Sequence, residues 1–175
     1  MRSVLCTVAA VTLSLPAWAD VSIPEKSTGI MGCEQYGRRL VLMDENADWN
    51  QPRAMLWSWD TKHCEEIAPE HRMWFRFMTD AKRVMNGTHV IASASGGGIA
   101  LVRMEDKHVE FYALADGNTH SVELLPDGNL VSASSTGSYL RVFCTDTAVS
   151  HPPLDVKYSD VALEDGHGVV WDFQK

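Results

Sequence analysis

The sequence lacks most of the signals from which an activity is ordinarily read. It has no G-x-S-x-G, no HExxH, no phosphate-binding glycine loop and no paired-carboxylate motif, so the common hydrolase and nucleotide-dependent readings have no carrier. It has no CxxC and no Cys/His spacing of the zinc type. Beyond residue 19 no apolar run approaches the roughly 20 residues that cross a bilayer. Positive charge is scarce: 15 Lys+Arg stand against 23 Asp+Glu. Such a surface supplies neither the basic groove that phosphate backbones require nor an attraction to anionic lipid, so nucleic acid and stable membrane insertion are set aside as partners.

What is present begins with an export signal. Arg2 gives a short basic region, Val4 to Leu15 an apolar core, and Ala17-Trp18-Ala19 a small-x-small cleavage site. Residues 1–19 are therefore expected to be removed between Ala19 and Asp20, leaving a secreted protein, periplasmic or extracellular. Losing Arg2 leaves 14 basic residues against the same 23 acidic ones, a net charge of −9. Of the four cysteines Cys6 leaves with the signal, and Cys33, Cys64 and Cys144 remain. An odd number cannot all pair within one chain. One disulfide with a free thiol and three buried thiols on strands are both open readings.

A repeat appears when residues 81–106 are laid over 121–146, a shift of about 40. Val84 then meets Leu124, Val90-Ile91 meets Leu130-Val131, Gly97 meets Gly137 and Val102 meets Val142. Each copy reads as strand, turn (Asn86-Gly87 or Pro126-Asp127-Gly128-Asn129), strand, Gly-rich turn, strand. A fourth strand is expected at VEFYALA in the first copy and near LDVKY in the second. Four short strands in about 40 residues make one blade of a β-propeller, whereas a β-sandwich gives no reason for a fixed period.

The predicted fold is therefore all-β: a β-propeller of four-stranded antiparallel blades, incomplete as a ring. After the signal peptide, residues 20–175 divide into a first blade at about 29–62, a second at about 80–117, a third at about 119–160 and the start of a fourth at about 163–175. In the first blade GIMGCEQ, RRLVLMD and AMLWSWD match the second to fourth strands, and an innermost strand is missing. Closed rings commonly fill that place with a strand from the far end of the chain, so the remainder of its own ring is an expected partner.

Candidate site residues follow from the repeat. His120-Ser121-Val122 and His167-Gly168-Val169 open two innermost strands, and the 40-residue shift puts Asp80 in the matching place of the second blade, with Lys82 two positions on. Asp80, His120 and His167 are thus expected around the rim of the central channel, as ligand-binding groups. Imidazole is a proton carrier near neutral pH or a metal ligand, and His120 and His167 are the metal candidates. Each histidine equally suits a purely structural bond to a neighbouring loop. Trp57 and Trp59 point the same way on one strand and suit packing between blades. Trp49, in the loop DENADWNQ, is the more exposed aromatic and a candidate ligand contact. Asn86-Gly87-Thr88 has the glycosylation pattern in a predicted turn.

Through EQYGRRLVLMD…LWSWD, THSVELLPDGNLVSASS and DGHGVVWD the chain resembles a family of secreted, uncharacterised β-propellers with quinoprotein-like and WD40-like repeats. The resemblance runs from Gly29 to the end and implies the fold; it brings no activity with it. Quinone-dependent dehydrogenases of similar repeat type draw cofactor contacts from most blades, and some have an adjacent Cys-Cys pair that is absent here. No cofactor is assigned. Three functions remain in play: binding of a carbohydrate or other small-molecule ligand at the channel mouth, a lyase-type polysaccharide-active enzyme using the rim histidines as base or metal ligands, and a protein-interaction platform.

Overall fold

The computed structural model describes residues 29–146, 153 and 155–172. The expected signal peptide and its Ala19/Asp20 cleavage site lie outside them. The architecture is all-β, an incomplete β-propeller: three antiparallel sheets stand in series, joined by short turns and 3-10 segments. The first sheet has three strands, β1 (Gly29–Glu34), β2 (Arg39–Asp44) and β3 (Met55–Asp60). The second is the meander β4 (Met78–Val84), β5 (His89–Ala94), β6 (Gly98–Arg103) and β7 (Val109–Leu114). The third repeats it as β8 (Thr119–Leu124), β9 (Leu130–Ser134), β10 (Tyr139–Phe143) and β11 (Tyr158–Ala162).

Burial explains the strand sequences. The second sheet is covered on both faces, so HVIASA and GIALVR read as nearly continuous apolar or small residues, not as an alternation. Val90, Ala92 and Ala94 face the first sheet with Leu40, Leu42, Trp59 and Phe75. Ile91, from the other face of β5, packs with Val122, Leu130 and Phe143 of the third sheet. Two apolar layers thus tie three blades together. The turn from β5 to β6 needs glycine at position 97, where φ is +95° and a Cβ would lie 2.9 Å from Asp116 Cα.

The innermost strands set the site. β8 lies against both β4 and β5, whereas β4 lies against β1 and meets β2 only marginally. β1 therefore stands where β5 stands in the next blade. It is a second strand, and among the described residues the first blade has no innermost one.

The structure bears on three of these expectations. The fourth strand of the third blade is Tyr158–Ala162, which starts at the last residue of LDVKY. The segment from His167 to Trp171 forms no strand pairing among the described residues. Cys33, Cys64 and Cys144 form no disulfide with one another, and of these three only Cys33 lies within a strand.

Candidate functional site

The repeat carries a one-residue slip in its innermost strands, and this changes which residues match. β4 pairs with β5 as Asp80↔Ser93 and Met78↔Ala94, with a bulge at Thr79. β8 pairs with β9 as Ser121↔Ala133 and Thr119↔Ser134, with a bulge at His120. Ala133 is 40 residues after Ser93, so Ser121 is the counterpart of Asp80, and His120 that of Thr79. The rim row is thus Thr79, His120, His167, and the row below it Asp80, Ser121, Gly168. Sequence alignment alone puts Asp80 level with His120, because a bulge leaves no mark in composition.

The same step recurs from blade to blade. Asp80 Oδ2 accepts from Ser121 Oγ at 2.7 Å and from the Val122 amide at 3.2 Å. One blade on, Ser121 Oγ accepts from the Val169 amide at 3.3 Å. Val122 and Val169 each lie two residues after the rim histidine. The 167–171 segment therefore lies in the place of the next innermost strand, although among the described residues it has no strand partner.

Lys82 binds these strands together. Its ammonium donates to Val122 O at 2.6 Å, Val169 O at 3.0 Å and Ser121 Oγ at 3.2 Å. It pairs with Asp80 Oδ2 at 2.9 Å and faces Glu123 Oε2 at 3.7 Å. Burial raises the Asp80 carboxyl, but the Lys82 ammonium and the bonds from Ser121 and Val122 outweigh it and hold it below the ordinary aspartate value. A depressed carboxylate stabilises the fold above its unfolded value of about 3.9 and loses that contribution as pH falls through the folded value. Urea unfolding of Asp80→Asn and of the parent between pH 7 and pH 3 should show the parent's advantage shrinking below about pH 4. A constant difference between the two curves would sink this assignment.

Above this layer the two rim histidines are stacked, with ring centroids 4.6 Å apart and planes 25° from parallel. Asn118 Nδ2 donates to His120 Nε2 at 3.1 Å, which leaves the ring proton on Nδ1. His167 Nδ1 donates to Asp165 O at 2.8 Å, which leaves Nε2 as the lone-pair nitrogen of the neutral ring. Thr79, Asp80, Lys82, His120, Ser121 and His167 line a cavity of about 440 Å³ at this mouth. Among the described residues no group of three or more His, Cys, Asp or Glu side chains is placed to hold a metal ion.

The structure thus brings together three of the four expected contact residues, Asp80, His120 and His167. Trp49 is apart from them. β1, the counterpart of β5, ends at the rim, so β2 starts there and the loop after it lies at the other end. Trp49 sits in that loop, half-exposed, its indole N–H bound to Asp44 O at 2.9 Å. Thr79 and Ser121 were not legible as site residues. Period-two alternation from Asp80 and Ser121 was the one signal that pointed to Lys82 and Glu123.

A second cavity, about 500 Å³, opens between the first and second blades beside Asp60, His63 and Glu66. Three of its four acidic groups are already engaged: Asp60 binds His63 at 2.9 Å, Glu66 binds His108, and Asp106 binds Arg103 at 2.9 Å.

The rim, the clasp of innermost segments and the serial sheets define the class as an incomplete β-propeller with a polar channel mouth. The chain belongs to a family of unknown function, DUF6528, whose family model matches residues 4–175. Among curated proteins none matches. Similar solved structures include the WD40 β-propeller domain of Doa1, at 16% identity over 78% of this chain with a TM-score of 0.49. Another is the Myceliophteria thermophila Cps50 (Swd1) β-propeller domain, at 13% identity over 71% of this chain with a TM-score of 0.44. The matches span 37% and 40% of those two chains. No helix among the described residues is long and apolar enough to cross a membrane.

Proposed function

We propose that this protein, exported by the segment ending at Ala19, binds a small neutral, hydroxyl-rich ligand of the carbohydrate class at its channel mouth. The observation that carries the reading is the stacked His120–His167 pair over the Asp80–Lys82 layer, at a cavity of about 440 Å³. That volume lies in the usual range of small-ligand sites, about 300 to 1,000 Å³. The pair offers one donor, His120 Nδ1–H, and one acceptor, His167 Nε2. A hydroxyl group is donor and acceptor at once and satisfies both. Below the pair, Lys82 balances Asp80, and Glu123 leaves the layer with one negative charge, which disfavours anionic ligands.

The experiment is calorimetric titration of the secreted chain with cellobiose, xylobiose and chitobiose, alongside the His120→Ala/His167→Ala variant. Binding of one of these that weakens at least about tenfold in the variant, with the melting temperature unchanged, is the expected result; tenfold corresponds to about 1.4 kcal/mol, the size of one or two lost hydrogen bonds. Unchanged binding with lost stability would mean that the histidines only fix blade packing.

A further inference from the structure

Each segment that reaches the channel mouth is entered through left-handed backbone. Two residues before the rim row, φ is +57° at Phe77, +56° at Asn118 and +51° at Asp165. Phe77 and Asn118 match in hydrogen bonding as well: Phe77 O accepts from the Ser95 amide at 2.9 Å, and Asn118 O from the Ser135 amide at 3.3 Å. Asparagine and aspartate tolerate this conformation, because a short polar side chain can bond locally. Both also serve the rim. Asn118 Nδ2 donates to His120 Nε2 at 3.1 Å, and the Asp165 backbone oxygen accepts from His167 Nδ1 at 2.8 Å.

Phenylalanine has no such reason to stand in this place. A bulky residue at positive φ is an outlier that strains its own backbone. Arg38, Met85, Lys107 and Ser138 share the sign of φ, but each lies in a turn between consecutive antiparallel strands, where it is ordinary. Phe77 lies in no such turn. Packing does not offset the strain, since the side chain is 54% exposed and the Arg76 guanidinium stands 6.0 Å from its ring centroid, at the outer limit of cation–π contact. The turn after β5 fixes the geometry, its Ser95 and Gly96 amides holding the Phe77 and Arg76 carbonyls at 2.9 and 3.1 Å. An apolar ring is thereby held out into water by a backbone that would rest more easily with asparagine.

The ring stands at the mouth. Phe77 comes two residues before Thr79, which lines the cavity and donates its hydroxyl to Thr119 O, next to His120, at 3.0 Å. From the equivalent backbone position the Asn118 side chain reaches the His120 ring, so the Phe77 Cβ starts at the cavity's edge. The side chains that β4 and β8 give to the cavity are all polar: Thr79, Asp80, Lys82, His120 and Ser121. They can read hydroxyls. A pyranose carries its hydroxyls around the edge of the ring and C–H bonds on its faces, and a face is covered by an apolar surface of its own shape.

We propose that Phe77 is a binding residue of the channel mouth, its ring stacking on the C–H face of a pyranose whose hydroxyls meet the His120–His167 pair. This rests on the carbohydrate reading of the mouth and narrows it to ring sugars bound face-on to an aromatic side chain. The backbone strain at residue 77 is the cost of presenting that ring.

The test is calorimetric titration of the secreted chain with cellobiose, xylobiose and chitobiose, using Phe77→Asn, Phe77→Trp and the His120→Ala/His167→Ala variant. Phe77→Asn installs the residue that stands at the entry to β8 with the same φ, so it removes the ring and relaxes the backbone together. The expected result is affinity about tenfold weaker in Phe77→Asn, as for roughly 60 Å² of C–H surface left uncovered, with the melting temperature held or raised. Phe77→Trp keeps an aromatic face and should bind within about twofold of the parent. Weaker binding without lost stability is a combination that a packing ring does not give. A melting temperature lower by more than about 3 °C in Phe77→Asn would assign the ring to packing and overturn the proposal. Phe77→Trp binding as weakly as Phe77→Asn overturns it too. Phe77→Asn binding like the parent, while the histidine variant binds weakly, removes the stacking ring and keeps the carbohydrate reading. A parent that binds none of the three disaccharides overturns both.

Discussion

Replacing Phe75 by alanine is expected to lower the unfolding free energy by about 4 kcal/mol, the middle of the range for removing a buried aromatic ring. Phe75 is fully buried and meets Trp59 edge to face, with centroids 5.9 Å apart at 84°. It ends the 3-10 segment Pro69–Phe75, which carries the chain from the first blade to the start of β4. One ring therefore fills space between two sheets and also anchors the connection that aims β4 into the channel. The glycine turn after β5 is built around it, since a Cβ at Gly98 would lie 3.1 Å from Phe75 Cδ1. The surrounding backbone has no freedom to collapse into the vacated volume, which is the condition under which a cavity costs most. For a domain of this size the loss corresponds to a fall of roughly 12 °C in melting temperature. Calorimetry of Phe75→Ala decides it. A shift under about 3 °C, corresponding to less than about 1 kcal/mol, would show that the first and second blades are not packed as described.

How much of this was visible beforehand depended on the kind of signal. The strands of the second blade were legible because a covered sheet writes itself as HVIASA and GIALVR, and its turns as Asn86-Gly87 and Ser95–Gly97. That the first described strand of the first blade takes a second place, not an innermost one, was legible from the order of its turns. β11 could be placed only as near LDVKY because it is exposed along its whole length, and an edge strand with no buried face has no pattern to fix its register. The rim was read one residue out for a related reason. A bulge puts Thr79 and His120 outside the pairing, and the pairing partners, not the 40-residue period, decide that Ser121 answers to Asp80. The histidine pair is legible because both residues open a strand-like segment; Lys82 is legible only as a neighbour two positions from Asp80, since a lysine in a strand more often points to water.

Lys82→Met is expected to cost about 3 kcal/mol, a value set by what the ammonium leaves behind and not by its own bonds. The methionine keeps the length of the stem, so packing along β4 changes little. What goes is the charge between Asp80 Oδ2 and Glu123 Oε2, two carboxylates of which Glu123 is nearly buried. Two carbonyls lose a donor as well, Val122 O at 2.6 Å and Val169 O at 3.0 Å. The second of these matters for the site, because Lys82 and Ser121 hold Val169, and His167 stands two residues before it. With the tie gone, the stacked histidine pair should open, and the ring-current shifts of the two imidazoles in proton NMR should collapse toward free values. Lys82→Arg is a poor substitute, since a planar fork cannot converge its donors on carbonyls from two different strands. It should recover less than half of the lost stability. Removing the carboxylate too distinguishes electrostatics from packing: in the Lys82→Met background Asp80→Asn should be close to neutral or stabilising, although alone it is destabilising. Additive losses in that double-mutant cycle would mean that Lys82 and Asp80 act separately, and the clasp under the channel mouth would have to be abandoned.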